Sequence, residues 1–376
     1  MISGAQLSDA KTAELGYVGR IPVRNLWLLM FYASDLFRMR GITGVELEEA
    51  PDELPDLVAE ILAKAVETRL RRQLTCGYRP RLAIVNRVRG RIDVLATEGR
   101  QLVSRGQVAC RFDELTIDTP RNRFVRAALE MIARIARQPH VIRRCRKLSR
   151  DLMLLGVTAG GPTYREASAD RLGRHDRDDQ FMIAAAKLAY DLALPTEVSG
   201  DNRLPLPDRE ERWVRLLYER AVGGFYEAAL NPEDWFVKRG QKFGWQIEDK
   251  SGGIDEILPN MQTDIILEDR RSARRIVIDT KFNSILAKGW HRDETLRSGH
   301  IYQIYAYLLS QSGRGDMLAD RAEGVLLHPS VFNSLDENVT IQGHRMRFVT
   351  VDLTASSYEI RNQLLRVCAP ANLCTT

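Results

Sequence analysis

At 376 residues, with 44% hydrophobic and 28% charged residues, the chain is long enough for two domains and has the composition of a globular protein. Its formal net charge of +5 permits a phosphate-rich partner without requiring one. The five scattered cysteines form no CxxC pair, which excludes a zinc ribbon and a disulfide framework. The most apolar early run, Leu26 to Ala33, is too short to span a bilayer, so the expected setting is cytoplasmic, away from membranes.

The first clear element is "IPVRNLWLLMFYASDLF", residues 21–37, a buried helix with Pro22 at its entrance. A second helical pattern covers about 55–75 and ends in basic residues. In "RPRLAIVNRVRGRIDVLATEG", arginines alternate with apolar residues at period two, which predicts a sheet with one buried and one basic face. Thr119 and Pro120 read as the N-cap and first residue of a helix, and a basic helix follows at about 140–155. The Pro- and Gly-rich stretch at 194–211 marks a boundary, giving an α+β domain over 1–195, a linker over 196–207 and an α/β domain over 208–376. The second domain reads as a helix (208–230), a hairpin, a helix (300–311), strands near 323–328 and 346–352, and an amphipathic helix from about 356 to 367.

The chemistry concentrates in the hairpin, "TDIILEDRRSARRIVIDTKF", residues 263–282. Side chains two apart on a strand share a face, so Asp279 and Lys281 project together beside Val277, while Ile278 and Thr280 point the other way. Hairpin pairing brings Asp264 towards Asp279 at the open end. Two neighbouring carboxylates repel unless a cation lies between them, and Mg²⁺ suits such all-oxygen sites. Spacing alone favours the simpler reading: an Asp279–Lys281 ion pair, with Asp264 as a solubilising strand-edge charge. The arginine-rich turn reads either as a DNA contact or as a solvated loop.

Two helices add polar residues. Gln303 and Tyr307 stand at i and i+4 on the helix after the hairpin, and Glu219 lies in the apolar helix before it. Glu211, Arg215 and Glu219 also fit an exposed charge ladder. His291 and His300 lie near the hairpin and could meet a phosphate, or be ordinary satisfied or exposed histidines. His140, His175, His328 and His344 show no ligand spacing.

The order Glu219, Asp264, Asp279-Thr280-Lys281, Gln303 and Tyr307 resembles the PD-(D/E)xK nuclease superfamily in its RecB-like version. One departure is Thr263 before Asp264, where the superfamily pattern has proline. Further blocks, "IPVRNLWLLMFYASDLF", "VRGRIDV", "CRFDELTIDTPRNRFVRAAL", "LPNMQTDIIL…IVIDTKF" and "YQIYAYL", are similar in order to those of McrC, the nuclease subunit of McrBC restriction systems, over about residues 20–355. That resemblance implies a restriction-endonuclease-like C-terminal domain, a mixed central sheet flanked by helices, behind an N-terminal domain that docks on a partner. It implies a metal site of Glu219, Asp264 and Asp279 holding Mg²⁺, with Lys281 assisting the attacking water and Gln303 supporting the site. It also implies that double-stranded DNA carrying modified cytosine is the substrate, and that an McrB-type AAA+ GTPase is the partner. The chain has no GxxxxGK[ST] loop, so GTP would enter only through that partner. A stand-alone RecB-like repair nuclease and a non-catalytic GTPase activator are the alternatives.

Overall fold

The computed structural model describes residues 17–18, 21–40, 53–159, 177–198, 207–287, 294–331 and 334–369. Contacts divide the chain into two units: residues within 1–54 and 194–376 form one, and residues 55–193 the other. The expected boundary at 195 thus has its counterpart at 193/194, but the N-terminal helix groups with the C-terminal part of the chain rather than with 55–193. The reason lies in helix α1 (Val23–Ala33), in which every residue but Arg24 is buried. A helix apolar all round needs cover on every side. Here the amide of the buried Asn25 donates to the carbonyls of Leu353 (2.7 Å) and Ala355 (3.1 Å), far along the chain.

The unit 55–193 contains α2 (Leu54–Arg72, its first residue apart), β1 (Gly77–Val85), β2 (Arg91–Ile92), β3 (Val108–Thr116), α3 (Pro120–Ile135), α4 (Pro139–Leu154) and most of α5 (Arg177–Val198). Thr119 caps α3 as its sequence indicates: the hydroxyl accepts from the Asn122 N–H at 3.2 Å, and Pro120 begins the helix. The strands form an antiparallel sheet in the order β1–β3–β2. The expectation of one buried and one basic face fails here. Tyr78 and Leu82 on β1 are 77% and 62% exposed, and Arg79 and Arg81 on the other face are exposed too. Period-two alternation reports the pleat, and the pleat does not guarantee that anything covers the apolar side. The alternation also ends sooner than expected, because the Asp93 carboxylate accepts from the Ala96 N–H and starts a short helix, Val94–Gly99. Helix α5 has no counterpart among the expected elements. It also occupies 196–198, the start of the expected linker, of which 199–206 lie outside the described residues; His175 and His291 lie outside them as well.

The other unit continues with α6 (Pro207–Ala229), β4 (Trp235–Arg239), β5 (Ile265–Asp269), β6 (Arg274–Thr280), α7 (Ser298–Leu309), β7 (Glu323–Ser330), β8 (Asp336–Ile341), β9 (His344–Asp352) and α8 (Ser357–Cys368). Its sheet runs β8–β9–β7–β6–β5–β4 and is mixed: β4, β5 and β6 are antiparallel, β6, β7 and β9 parallel, and β8 an antiparallel edge. Parallel pairing of β6 with β7 demands a crossover, and α7 supplies it. The apolar side of α7 (Ile304, Tyr307, Leu308) packs with Val277, Leu326, Met346 and Phe348 of the sheet. Helix α1 rests on α6 at very short range: a Cβ on Gly224 would come within 2.0 Å of the Tyr32 carbonyl oxygen. Helix α8 begins with a reciprocal capping box between Ser356 and Glu359.

The arginine-rich turn lies at the end of the β5–β6 hairpin opposite Asp264 and Asp279. Its cations are engaged locally: Arg271 with Asp234 (2.5 Å), Arg274 with Glu323 (2.9 Å), and Arg275 with Glu268 and Asp316 (2.8 Å each).

Candidate active site

The hairpin register pairs Ile265 with Ile278, so the next step places Asp264 across from Asp279 at the open end. Asp264 stands just beyond its strand, and its carboxylate turns towards the backbone of β6. There it accepts from the Thr280 N–H and hydroxyl, both at 2.7 Å. Thr280 was expected only to point away from Asp279; it also anchors the other aspartate. No feature of the sequence marks that role, because it depends on where the strand ends.

Asp279 is 2% exposed and projects with Lys281. The Lys281 Nζ lies 2.8 Å from Asp279 Oδ2, so the ion pair of the simpler reading does exist. It is not a complete account. The contact is poorly directed, and Asp279 Oδ2 is buried without a well-aligned hydrogen bond. Lys281 also donates to Gln303 Oε1 (3.0 Å), whose amide donates to the Tyr307 hydroxyl (2.5 Å). The i, i+4 pair on α7 is thus the support of the lysine.

Electrostatics bind these groups into one site. Burial pushes Asp279 up to about 6; Lys281 opposes the shift and the Asp264 charge adds to it. Glu219, half-buried on α6, is raised by burial and then by Asp264, with Asp279 contributing further; Arg215 and Arg239 act against the shift. An exposed charge ladder would not place Glu219 in the field of two aspartates. His300 and His328 lie beside the lysine, ring centroids 5.5 Å apart. Burial lowers both, His328 to about 4, and the Lys281 charge adds to each shift, so both are neutral at pH 7. His328 Nδ1 meets the Asn283 carbonyl at 2.9 Å, whereas His300 Nδ1 is buried without a hydrogen-bond partner among the described residues.

All five expected site residues therefore gather at one end of the sheet. The expected three-carboxylate metal site is met less fully. Among the described residues, no three histidine, cysteine or carboxylate side chains converge tightly enough to hold a metal ion. The donor chemistry still suits Mg²⁺, which takes one or two carboxylates and fills its remaining positions with waters and substrate phosphates. Asp264 and Asp279 fit that pattern, and Glu219 stands further off, lining a polar cavity with Asp264.

A mixed sheet whose end gathers coupled carboxylates, a partly buried lysine and a supporting Gln–Tyr pair defines an α/β protein with a polar, catalysis-capable centre. Residues 7–175 and 216–319 match the family model described as "McrBC 5-methylcytosine restriction system component", and the chain belongs to that family. The resemblance to McrC seen in the ordered sequence blocks stands. A curated relative, the type IV methyl-directed restriction enzyme EcoKMcrBC of Escherichia coli K12, is 26% identical over 352 residues, 92% of this chain and 97% of its own length. Two solved structures show slight likeness. One is a half-complex from a tetradecameric assembly of Thermococcus gammatolerans McrB AAA+ hexamers with bound McrC (13% identity, TM-score 0.42, 92% of this chain and 76% of that one). The other is the McrBC complex of the same organism (16%, 0.31, 49% and 60%). No helix among the described residues is long and apolar enough to cross a membrane.

Proposed function

We propose that the chain is the Mg²⁺-dependent endonuclease subunit of a GTP-dependent restriction complex, hydrolysing phosphodiester bonds of double-stranded DNA that carries modified cytosine. The observation that carries this reading is the coupled cluster of Asp264, Asp279, Lys281 and Gln303 at one sheet end. Asp264 and Asp279 would hold the ion, with Glu219 adding negative charge from the cavity side. When bound, the ion would supply Lewis-acid polarisation of a phosphoryl oxygen and lower the pKa of water.

The chain's own residues do the rest. Thr280 fixes the Asp264 carboxylate with two hydrogen bonds, so one ligand is oriented before substrate arrives. Gln303 holds the Lys281 ammonium and is itself held by Tyr307, which restricts the lysine to the Asp279 side of the site. From there Lys281 orients the attacking water and offsets charge gathering on the phosphate.

The partner in this reading is an McrB-type AAA+ GTPase, whose GTP hydrolysis the chain stimulates. The β1–β3–β2 sheet supports such docking, since Tyr78, Leu82 and Leu115 stand exposed among arginines. Reconstitution tests the proposal: chain, GTPase, GTP and Mg²⁺, with methylated or unmethylated duplex. Cleavage of the methylated duplex alone is expected, and Asp279→Ala or Lys281→Ala should abolish it. Efficient cutting of unmodified DNA by the chain alone would point to a stand-alone RecB-like nuclease. Full cleavage by both variants would leave only a GTPase-activating adaptor.

A further inference from the structure

The cavity beside the carboxylates has a basic wall that the catalytic cluster does not use. It is an open depression of about 350 Å³ lined by Arg38, Glu219, Glu227, Arg239, Gly240 and Asp264. Arg239 ends β4, the edge strand next to β5, and so reaches the same end of the sheet as Asp264. It lies close enough to Glu219 to ease that carboxylate's charge. Its side chain is about a quarter exposed, and among the described residues its guanidinium has one long ion-pair contact, Nη1 to Glu227 Oε2 at 3.5 Å. The same Glu227 oxygen accepts from Arg38 at 3.1 Å, so one carboxylate is shared between two guanidinium groups.

The room for Arg239 is provided by α6. A Cβ on Gly223 would meet Arg239 Nε at 2.5 Å and Cδ at 3.0 Å. Glycine in a helix interior lowers helix stability relative to alanine. At 223 its absent side chain is what leaves room for the Arg239 side chain against the helix, beside the cavity it lines.

We propose that Arg239 is a substrate-positioning residue that binds a DNA backbone phosphate in this cavity, adjacent to the phosphodiester undergoing cleavage, with Arg38 as a second cationic contact. The inference rests on the endonuclease reading above. On the cavity wall Glu227 is shared by both guanidinium groups, and Arg38 is paired with Asp35 as well, so Arg239 is the less fully neutralised of the two. A planar guanidinium whose remaining donors meet no acceptor among the described residues matches the fork geometry of a phosphate. Glu227 keeps both arginines oriented before DNA enters.

The test uses the assembled complex with its GTPase and a methylated duplex, following single-turnover cleavage across a salt series. A second measurement follows binding of a short fluorescent duplex to the full chain, with Ca²⁺ in place of Mg²⁺. Arg239→Ala should slow cleavage and weaken binding about tenfold, and should make the log–log salt dependence shallower by about one, as loss of one phosphate contact requires. Arg239→Lys should keep the salt slope while losing part of the rate. Gly223→Ala should fold normally, because the group it displaces is a flexible side-chain end, yet behave like Arg239→Ala. A wild-type salt slope in Arg239→Ala, whether or not its rate falls, would overturn the proposal and reduce Arg239 to a partner of Glu227. Full cleavage by Asp279→Ala, or none by the wild-type complex, would sink the endonuclease reading, and this inference with it.

Discussion

Two buried aspartates, one in each unit, show opposite ways of keeping a carboxylate out of water. Asp118 is surrounded by donors: Arg123 contacts it through Nε at 2.7 Å and Nη2 at 2.6 Å, and Thr158 donates its N–H at 2.9 Å and its hydroxyl at 3.0 Å. These donors, Arg123 first, hold its carboxyl well below the usual range. Asp279 has one poorly directed cation and a like charge across the hairpin, and it sits near 6. Burial is therefore a poor marker of function. The telling property is a buried charge that its surroundings leave unsatisfied, because that desolvation penalty is relieved when a ligand arrives.

The sharpest way to break the contrast is to remove each carboxylate in turn. Asp279→Ala should reduce cleavage in the reconstituted complex by at least about a thousandfold, while co-elution with the GTPase is unchanged. A surviving activity within tenfold of wild type would mean that Asp279 is only a strained structural charge. Asp118→Ala should do the reverse. It leaves Arg123 and the Thr158 groups without their acceptor and should cost about 2–3 kcal/mol of stability, read by denaturant unfolding, with little change in cleavage by the folded fraction.

A packing control separates charge from shape. Gly224→Ala drives a methyl group into the Tyr32 carbonyl and should destabilise the unit by about 2–3 kcal/mol through displacement of α1. An unchanged unfolding midpoint would show that α1 is not seated on α6 as described.

The smallest expected effect carries the clearest sign. The folded-state pKa of Asp279 lies near 6, above the ordinary 3.8, so folding favours its protonated form, and its contribution to stability declines as pH rises through that window. Asp279→Asn should therefore raise Tm at pH 8 in EDTA by about 2–4 °C, less whatever the Lys281 pair returns, and by roughly half as much at pH 5, where the unfolded carboxylate is already ionised and the folded one is not. In wild type, metal affinity should weaken below about pH 6, as protons compete for the same oxygen; isothermal titration with Mg²⁺ at pH 5.5 and 8 checks this. A lower Tm for the Asn variant at pH 8 would show that the Lys281 ion pair outweighs the desolvation.

Much of the site was legible before any coordinates. Strand periodicity set Asp279 and Lys281 on one face, hairpin logic brought Asp264 to the same end, and helical spacing put Gln303 over Tyr307. These are local rules, fixed by backbone geometry over a few residues. The capping signal at Thr119 was legible for the same reason. What the sequence could not disclose depends on contacts between distant segments. Helix α1 leaves the N-terminal half because Asn25 finds its acceptors at residues 353 and 355. The alternating strands at 77–92 looked half-buried, yet no described element of their unit covers Tyr78 or Leu82, since alternation specifies two faces and no neighbour. Thr280, read as facing away, became the anchor of Asp264 because the strand ends one residue early. Arg239 gave no signal at all: its proximity to Glu219 follows from β4 pairing with β5, and its room from a glycine on another helix. The sequence by itself determined which chemical groups this protein carries and which neighbours share a face. Tertiary structure alone decided which charges are satisfied, because satisfaction depends on partners that only folding brings within hydrogen-bond reach.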